Sequence, residues 1–280
     1  MPVDKLADAL ALTEIGPGRY SAENDIRGER GVVFGGQLIA QLIVAGATAD
    51  PDKMVKSAHA LFARPVMVDD DVELQVDVLQ RGRTFASAST SLWQHDKERA
   101  RALVLLSAEE PDLIRHHSPM PEVPGPDGLP SSPRSDDVRI VGGVDINDAT
   151  QVGEPSMQFW ARHPDAGEDP AVGQGLLAHT SASLLIGTAM RPHEGVGQSA
   201  AHAAFSTGII GHSMSFHEPF DATDWLLLAQ TSTHAGRGRA YGTGEVFTRS
   251  GALVASYSQE SMIRHFPEGV SPEGQESTIL

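Results

Sequence analysis

The first half of the chain combines one continuous apolar segment with several alternating ones. Residues 35–45 are apolar nearly all round, so a helix there must be buried on most of its surface. Residues 72–78, VELQVDV, alternate strictly between apolar and polar, which predicts a strand with one buried face. Further strands are predicted at 86–94 and 102–108, with a charged turn at 95–99. A helix that is apolar on every side requires a sheet wrapped around it.

The second half repeats this order of elements. An apolar helix is predicted over 176–190, and strands follow near 212–216, 225–233, 239–248 and 253–263. A central helix followed by antiparallel strands, found twice, predicts an α+β fold. It differs from the alternating βαβ order of a nucleotide-binding sheet.

Similar short segments recur in both halves and indicate that the two halves arose by duplication. Three pairs of segments keep the same order at a nearly constant separation: 59–65 with 212–219, 83–85 with 239–241, and 102–104 with 252–254. One such pair is explained by chance recurrence of common apolar residues, whereas the shared order favours a duplicated domain.

A Pro-rich segment separates the halves. Residues 118–135 hold six Pro and two Gly with no apolar period, which predicts a linker. The domains expected on either side are an N-terminal unit, 1–117, and a C-terminal unit, 136–280. A shorter acidic break at 164–170 predicts a surface loop.

Composition narrows the possible functions. With 21 Lys plus Arg against 37 Asp plus Glu, the net charge of -16 argues against a nucleic-acid partner. No stretch approaches the ~18 apolar residues that a membrane span needs. The first residues lack the cationic start of a signal peptide, so a cytoplasmic location is expected. The absence of Cys excludes thiolate metal ligands and a cysteine nucleophile.

Paired glycines precede the first apolar helix. Gly35, Gly36 and Gln37 would open that helix, whose first N–H groups have no partner within it and favour negative charge. The site would suit an oxyanion. The alternative is that the glycines only allow close packing of backbone. Both interpretations stay open from the sequence.

Other polar residues give weaker signals. Arg237 and Arg239 flank a Gly-rich turn and are candidates for binding a phosphate, although a solvated turn is the simpler explanation. Gln259 lies late in a mostly apolar strand, either facing a site or as a satisfied hydrogen-bonding side chain. The twelve His show no metal-ligand spacing, so no metal is expected. The nearest approach to a serine-hydrolase elbow, 211–215, lacks the closing glycine.

Several sequence segments together resemble those of the type II acyl-CoA thioesterases, the double-hotdog family. The segments that carry the resemblance are 33–37 (VFGGQ), 59–65, 126–131 (PDGLPS), 212–220, 224–227 and 253–259. The resemblance spans nearly the whole chain. It implies two long central helices, each wrapped by an antiparallel sheet, and hydrolysis of fatty acyl-CoA to free fatty acid and CoA by direct attack of water. It implies no cofactor, and a homo-oligomer.

The family holds the attacking water with an Asp, a Thr and a Gln, and only part of this set is present here. The Gln matches Gln259, but Ala182 stands at the Asp position and Ile209 at the Thr position, unless a two-residue slip brings Thr207 into register. His179, one helical turn before Ala182, is a candidate replacement base. Its alternative role is a helix histidine hydrogen-bonded in place.

Two functions from different classes therefore follow. The leading one is an acyl-CoA thioesterase, supported by the full-length resemblance and by Gln259. The alternative is a non-hydrolytic or weakly active acyl-CoA binding protein on the same scaffold, suggested by Ala182 and Ile209. Hydration of an enoyl thioester would need an acid–base pair that the sequence does not supply. Fold alone does not choose between them.

Overall fold

The computed structural model describes residues 3–24, 31–68, 70–132, 135–201 and 204–266. The first half contains α1 (Val3–Ala9), β1 (Thr13–Gly16), β2 (Arg19–Ala22), α2 (Gly35–Ala47), β3 (Met54–Phe62), β4 (Val72–Arg81), β5 (Phe85–Gln94) and β6 (Lys97–Ser107). The second half contains β7 (Val138–Ile140), β8 (Ser156–Ala161), α3 (Pro170–Ser181), α4 (Leu185–Met190), β9 (Phe205–Phe216), β10 (Leu226–Gly236), β11 (Arg239–Thr248) and β12 (Leu253–His265).

All twelve strands belong to one sheet, in the order β1-β2-β4-β5-β6-β3-β9-β12-β11-β10-β8-β7. Adjacent strands are antiparallel, and the halves join where β3 pairs with β9, with Ala60 opposite His212. Counted outward from this junction, the strands of each half follow the same chain order. The predicted α+β class and the antiparallel strands are confirmed.

Helix α2 is buried on every side, as its apolar sequence predicts. Its residues from Gly36 to Gly46 are all buried. Helix α3 packs against it very closely, because a Cβ on Gly175 would lie 3.1 Å from Val44 Cγ2 and 3.2 Å from the Ala40 carbonyl oxygen. The start of α2 lies beside the end of α3, so the two helices run antiparallel.

The prediction of one long second helix over 176–190 is wrong. Helix α3 ends at Ser181 and α4 begins at Leu185. A hydroxyl group explains the break: Ser183 Oγ donates to the Thr180 carbonyl oxygen at 2.5 Å. Serine hydroxyls that bond nearby backbone carbonyls compete with continued helix.

Two strand boundaries also differ from the predictions. Strand β9 begins at Phe205, seven residues before the predicted start at 212. The turn predicted at 95–99 contains only His95 and Asp96, with φ of 53° and 57°. A two-residue turn with both central φ values positive matches the twist of the flanking strands, so β6 resumes at once.

One pair of similar segments is not equivalent in three dimensions. His59 is exposed on β3, whereas His212 is buried on β9. Phe62 and Phe216, the last residues of these two strands, are both buried. The repeat is therefore better aligned on the phenylalanines than on the histidines, because a shift of one residue moves a side chain to the other face.

The Pro-rich segment packs against the sheet and is not a free tether. Met120, Val123 and Leu129 contact a buried cluster on the second half of the sheet, and Trp160 Nε1 donates to the Pro124 carbonyl oxygen at 2.9 Å. The cluster consists of Trp160, Trp225, Leu227 and Phe247. The predicted loop at 164–170 lies between β8 and α3, whose first turn is capped by Asp169.

No helix among the described residues is long and apolar enough to span a membrane.

Candidate active site

The start of α2 lies against the end of α3 and against β9. A Cβ on Gly36 would lie 2.9 Å from the His179 carbonyl oxygen and 2.4 Å from Phe34 Cε1, so only glycine fits. A Cβ on Gly35 would lie 3.4 Å from Ile209 Cδ1, an ordinary contact. Close packing thus accounts for Gly36. The same packing sets the first N–H groups of α2 beside Ile209.

The side chain of Gln37 serves packing at this helix start. It is fully buried, and its Nε2 donates to Asn24 Oδ1 at 3.3 Å. Its backbone N–H is bonded to the Phe34 carbonyl oxygen at 2.9 Å. Gln37 therefore ties α2 to the segments that precede it.

His179 is close to the helix start but is a poor base. Its ring packs edge-on against Phe34, with 5.3 Å between ring centroids. Its Nε2 atom is buried and has no hydrogen-bond partner among the described residues. Burial, with the nearby His163, lowers the pKa of His179 to about 3. A group with so little affinity for a proton is weak in general-base catalysis near neutral pH.

A continuous chain of polar side chains crosses from α3 to the sheet. His212 Nδ1 lies 3.1 Å from Gln259 Oε1, and His212 Nε2 lies 2.9 Å from Ser181 Oγ. Gln259 Nε2 donates to Ser261 Oγ at 3.0 Å. All four residues are no more than 2% exposed. Ser181, His212, Gln259 and Ser261 are referred to below as the polar chain.

The positions that differ from the family pattern lie beside this polar chain. Ala182, 2% exposed, directly follows Ser181 at the end of α3. Ile209 lies opposite Ser261 in the β9–β12 ladder. Thr207 is also buried, but it lies opposite Ile263, two pairs further along. The contact between Ile209 and Gly35 makes Ile209, not Thr207, the residue of β9 nearest the helix start. A two-residue slip is therefore not supported.

The environment of the polar chain keeps its imidazole neutral. Burial lowers the pKa of His212 to about 4, and the hydrogen bond to Gln259 opposes part of this shift. The Tyr257 ring stacks on His212, with centroids 5.9 Å apart and an interplanar angle of 21°. The Tyr257 hydroxyl donates to Gln230 Oε1 at 2.8 Å, and burial raises its pKa.

Arg237 and Arg239 lie on the β10–β11 hairpin, where Arg239 pairs with Met262, the residue after Ser261 of the polar chain. Both are exposed, and Arg237 has a positive φ of 53° in the turn. Arg239 Nη1 donates to the Gly238 carbonyl oxygen at 2.9 Å. The same carbonyl accepts from the N–H of Ile263, which pairs with Thr207. The hairpin therefore lies at the Thr207 end of β9.

From the sequence, no site role is assigned to Ser181, His212 or Ser261. Their relation depends on the register of β9 against β12, where His212 pairs directly with Gln259. The available signal was two polar residues within apolar strands of the same half. Without the register, nothing indicated that they meet.

Two family models match the chain. The acyl-CoA thioesterase N-terminal domain matches residues 26–107, and the acyl-CoA thioesterase C-terminal domain matches residues 114–263, more than half of the chain. The chain belongs to the acyl-CoA thioesterase family.

Relatives in this family cover nearly the whole chain. Acyl-CoA thioesterase 2 of Haemophilus influenzae is 27% identical over 284 residues, covering 94% of this chain and 98% of its own. Human acyl-coenzyme A thioesterase 8 is 29% identical over 281 residues, covering 88% and 83%. Among solved structures, acyl-CoA thioesterase II TesB2 of Mycobacterium marinum is 28% identical with a TM-score of 0.78, covering 95% and 100%.

A further structure supports the fold alone. The tesB protein of Mycobacterium avium subspecies paratuberculosis has a TM-score of 0.80 at 24% identity, covering 93% of this chain and 99% of its own. A hot dog fold protein of Alicyclobacillus acidocaldarius, at 19% identity, has a TM-score of 0.75. The thioesterase chain thus has a hotdog-type fold.

The glycine packing gives a matched pair of variants. Gly36→Ala forces its Cβ against a backbone carbonyl and should lower the free energy of unfolding by about 1–3 kcal/mol. Gly35→Ala makes only an ordinary contact and should leave it within about 1 kcal/mol of the wild type. Urea unfolding followed by circular dichroism measures both. Equal effects of the two substitutions would contradict the close approach of α2 and α3 at Gly36.

Proposed function

We propose that this thioesterase hydrolyses fatty acyl-CoA to free fatty acid and CoA on a double hotdog. The proposed units are residues 1–117 and 136–280, joined by the Pro/Gly-rich linker 118–135. The matching strand order of the two halves supports the double arrangement, and family membership supports acyl-CoA as substrate. The central element of the second half is α3 followed by α4, which replaces the single long helix of the sequence prediction.

The observation that carries the proposal is the position of Gln259. Gln259 is a member of the polar chain, as is Ser261. Ser261 pairs with Ile209 in the sheet, and Ile209 contacts the start of α2. A thioester carbonyl bound at this start would direct its oxygen to N–H groups that have no partner within the helix. Such preorganised donors stabilise the oxyanion that forms when water attacks.

The reaction balances without a covalent intermediate. Water forms a new C–O bond at the thioester carbonyl carbon, the C–S bond breaks, and the proton lost by water passes to the departing thiolate. The Gln259 carboxamide would orient the water through hydrogen bonds. Because the polar chain contains no carboxylate, the rate should lie about 10²- to 10⁴-fold below that of an enzyme with a positioned general base.

The non-hydrolytic binder is the second candidate. Ala182 and Ile209 are the observations that favour it, since both are apolar where the family pattern has polar groups. The names of the relatives do not favour it. The two functions share a binding site and differ in the release of thiol.

Arg237 and Arg239 are proposed to bind the phosphates of CoA. Both are exposed cations, and neither forms an ion pair with a carboxylate in the part of the chain that the structure describes. Salt screens the other charges of this acidic protein beyond roughly 8 Å. Arg239 follows the β10–β11 turn and Arg237 lies in it, so both can reach a ligand outside the sheet. Unchanged acyl-CoA affinity after replacement of both by Ala would overturn this role.

A homo-oligomer is proposed through the outer face of the first half. Leu61, Phe85, Leu103 and Leu105 are exposed there, whereas residues 120–129 cover apolar residues of the second half. The four long strands of the first half, β3 to β6, are each about 30 Å long and present roughly 600 Å², compared with the ~800 Å² per partner of a stable interface. A second copy of this chain is the proposed occupant, and a monomer by sedimentation equilibrium would overturn the proposal.

The cytoplasmic location and a role in lipid metabolism stay predictions.

The test of function uses the absence of Cys, because a thiol reagent then detects only released CoA. Wild-type protein is expected to release thiol from a panel of fatty acyl-CoA chain lengths. Gln259→Ala should lower kcat at least about tenfold with KM nearly unchanged, since holding the attacking water matters mainly in the transition state. Ser258→Ala, beside it on the other face of β12, is the control and should match wild type.

Two results would contradict this account. Calorimetric binding of acyl-CoA without any thiol release would establish the binder instead. An unchanged kcat in Gln259→Ala, with release in wild type, would make Gln259 a satisfied strand residue only.

A second prediction restores the family pattern at Ala182. Ala182→Asp should raise hydrolysis about tenfold or more if the carboxylate ionises. Burial opposes ionisation, because Ala182 is 2% exposed and a buried carboxyl group without partners stays protonated. The double variant with Ile209→Thr should therefore gain more than the single variant. Ala182→Asn is the uncharged control.

Thiol release and melting temperature are measured for these variants. No gain in either Asp variant, with melting temperatures near wild type, would show that the family site has moved in this chain.

A further inference from the structure

We propose that His212 is a positioning residue that holds the Gln259 carboxamide in one orientation. The inference rests on the proposed hydrolysis, in which Gln259 orients the attacking water. His212 bridges Ser181 at the end of α3 and Gln259 on β12, two elements that no other hydrogen bond of the polar chain connects directly. It touches no reacting atom and acts through Gln259.

The hydrogen-bond partners determine where the imidazole proton lies. The Gln259 Oε1 atom can only accept, so His212 Nδ1 must donate to it. Nε2 then carries a lone pair, and the Ser181 hydroxyl donates to it. The Ser181 hydroxyl proton is available to His212, because the Ala178 carbonyl oxygen already accepts a hydrogen bond from the Ala182 N–H at 3.3 Å. The order of donors runs from Ser181 through His212 and Gln259 to Ser261.

The other tautomer would turn the carboxamide over. With the proton on Nε2, the lone pair of Nδ1 would face the oxygen of Gln259, which is repulsive. Relief would require the amide NH₂ to face His212 and the oxygen to face Ser261. The position of one proton on His212 thus selects which amide atom occupies each place.

The observed orientation leaves capacity for one water. A glutamine carboxamide has two N–H donors and two oxygen lone pairs. His212 uses one lone pair and Ser261 uses one N–H, so one of each remains. A water that both donates to and accepts from Gln259 is held more rigidly than one with a single bond. The reversed orientation would exchange these donor and acceptor positions.

The surroundings resist reversal. All members of the polar chain are buried, and Tyr257 stacks on the His212 ring while its hydroxyl is bonded to Gln230. Leaving a buried donor or acceptor unpaired during an amide flip is unfavourable. Burial of these groups therefore favours one orientation of the amide.

The same three groups have the order of a nucleophile, a base and an orienting residue. Ser181 is 0% exposed, however, and its hydroxyl lies among Ala178, His212 and Met214. These three contacts enclose the Ser181 hydroxyl, and burial lowers the pKa of His212 to about 4, so His212 is a weak base for activating it. Positioning is therefore the role that the geometry supports.

Two substitutions at His212 separate the two bonds. In His212→Asn the amide nitrogen replaces Nδ1, so a donor to Gln259 remains. In His212→Gln the amide oxygen can replace Nε2 as the acceptor for the Ser181 hydroxyl, and the donor to Gln259 is lost. We expect His212→Asn to keep kcat within about twofold of wild type and His212→Gln to lower kcat about five- to tenfold, both with KM nearly unchanged.

The matched control is His59→Gln, which removes an exposed histidine from the neighbouring strand β3 and should leave kcat unchanged. A merely structural role would lower the melting temperature of both His212 variants and leave kcat alike in the two. Equal kcat values, or a larger loss in His212→Asn, would overturn the proposal.

A spectroscopic test uses the wild-type protein. It requires neither that the variants fold nor that the protein is catalytically active. The ¹⁵N shifts of the His212 imidazole should report the Nδ1–H tautomer, and an Nε2–H tautomer would overturn the proposal. An acyl group found on Ser181 by mass spectrometry after a single turnover would also overturn it. Failure of the proposed hydrolysis is distinct, because wild-type protein would then release no thiol whatever the tautomer.

Discussion

The close contact between the start of α2 and the end of α3 is the constraint on which the rest of the site depends. Gly36 meets the His179 carbonyl at a distance that only glycine allows. This contact brings the first N–H groups of α2 beside Ile209. It also positions the last turn of α3, where the Ser183 hydroxyl bonds the Thr180 carbonyl oxygen and Ser181 reaches His212. Helix packing therefore determines both sides of the proposed thioester site.

The site also shows how polar groups are buried without a carboxylate. In the polar chain, each donor faces an acceptor from Ser181 to Ser261. Such pairing is needed, because an unpaired polar group in the interior costs about 1–3 kcal/mol. The lowered pKa of His212 keeps its imidazole neutral, which preserves the sense of every bond. Orientation, rather than proton abstraction, is what this arrangement contributes to the proposed hydrolysis.

The sequence predicted most helices and strands well. It predicted poorly which residues of different elements contact one another. Helix α2 and the strands after it follow from apolar periodicity, which is local. The end of α3 at Ser181 depends on the bond from the Ser183 hydroxyl to the Thr180 carbonyl oxygen, which competes with continued helix. The pairing of His212 with Gln259 joins residues 47 apart and depends on strand register. The docking of 118–132 depends on Trp160, which composition alone does not connect to a Pro-rich segment.

The central claim is that the thioester carbonyl binds at the start of α2, among preorganised N–H donors. The most direct measurement is the infrared stretch of a ¹³C-labelled carbonyl in a bound acyl-CoA analogue whose sulphur is replaced by CH₂. Donors at the helix start should hold this frequency at or below its value in water, since hydrogen bonds weaken the C=O bond. A frequency that rises toward its value in an apolar solvent would show that no donors meet the carbonyl, which would contradict the account.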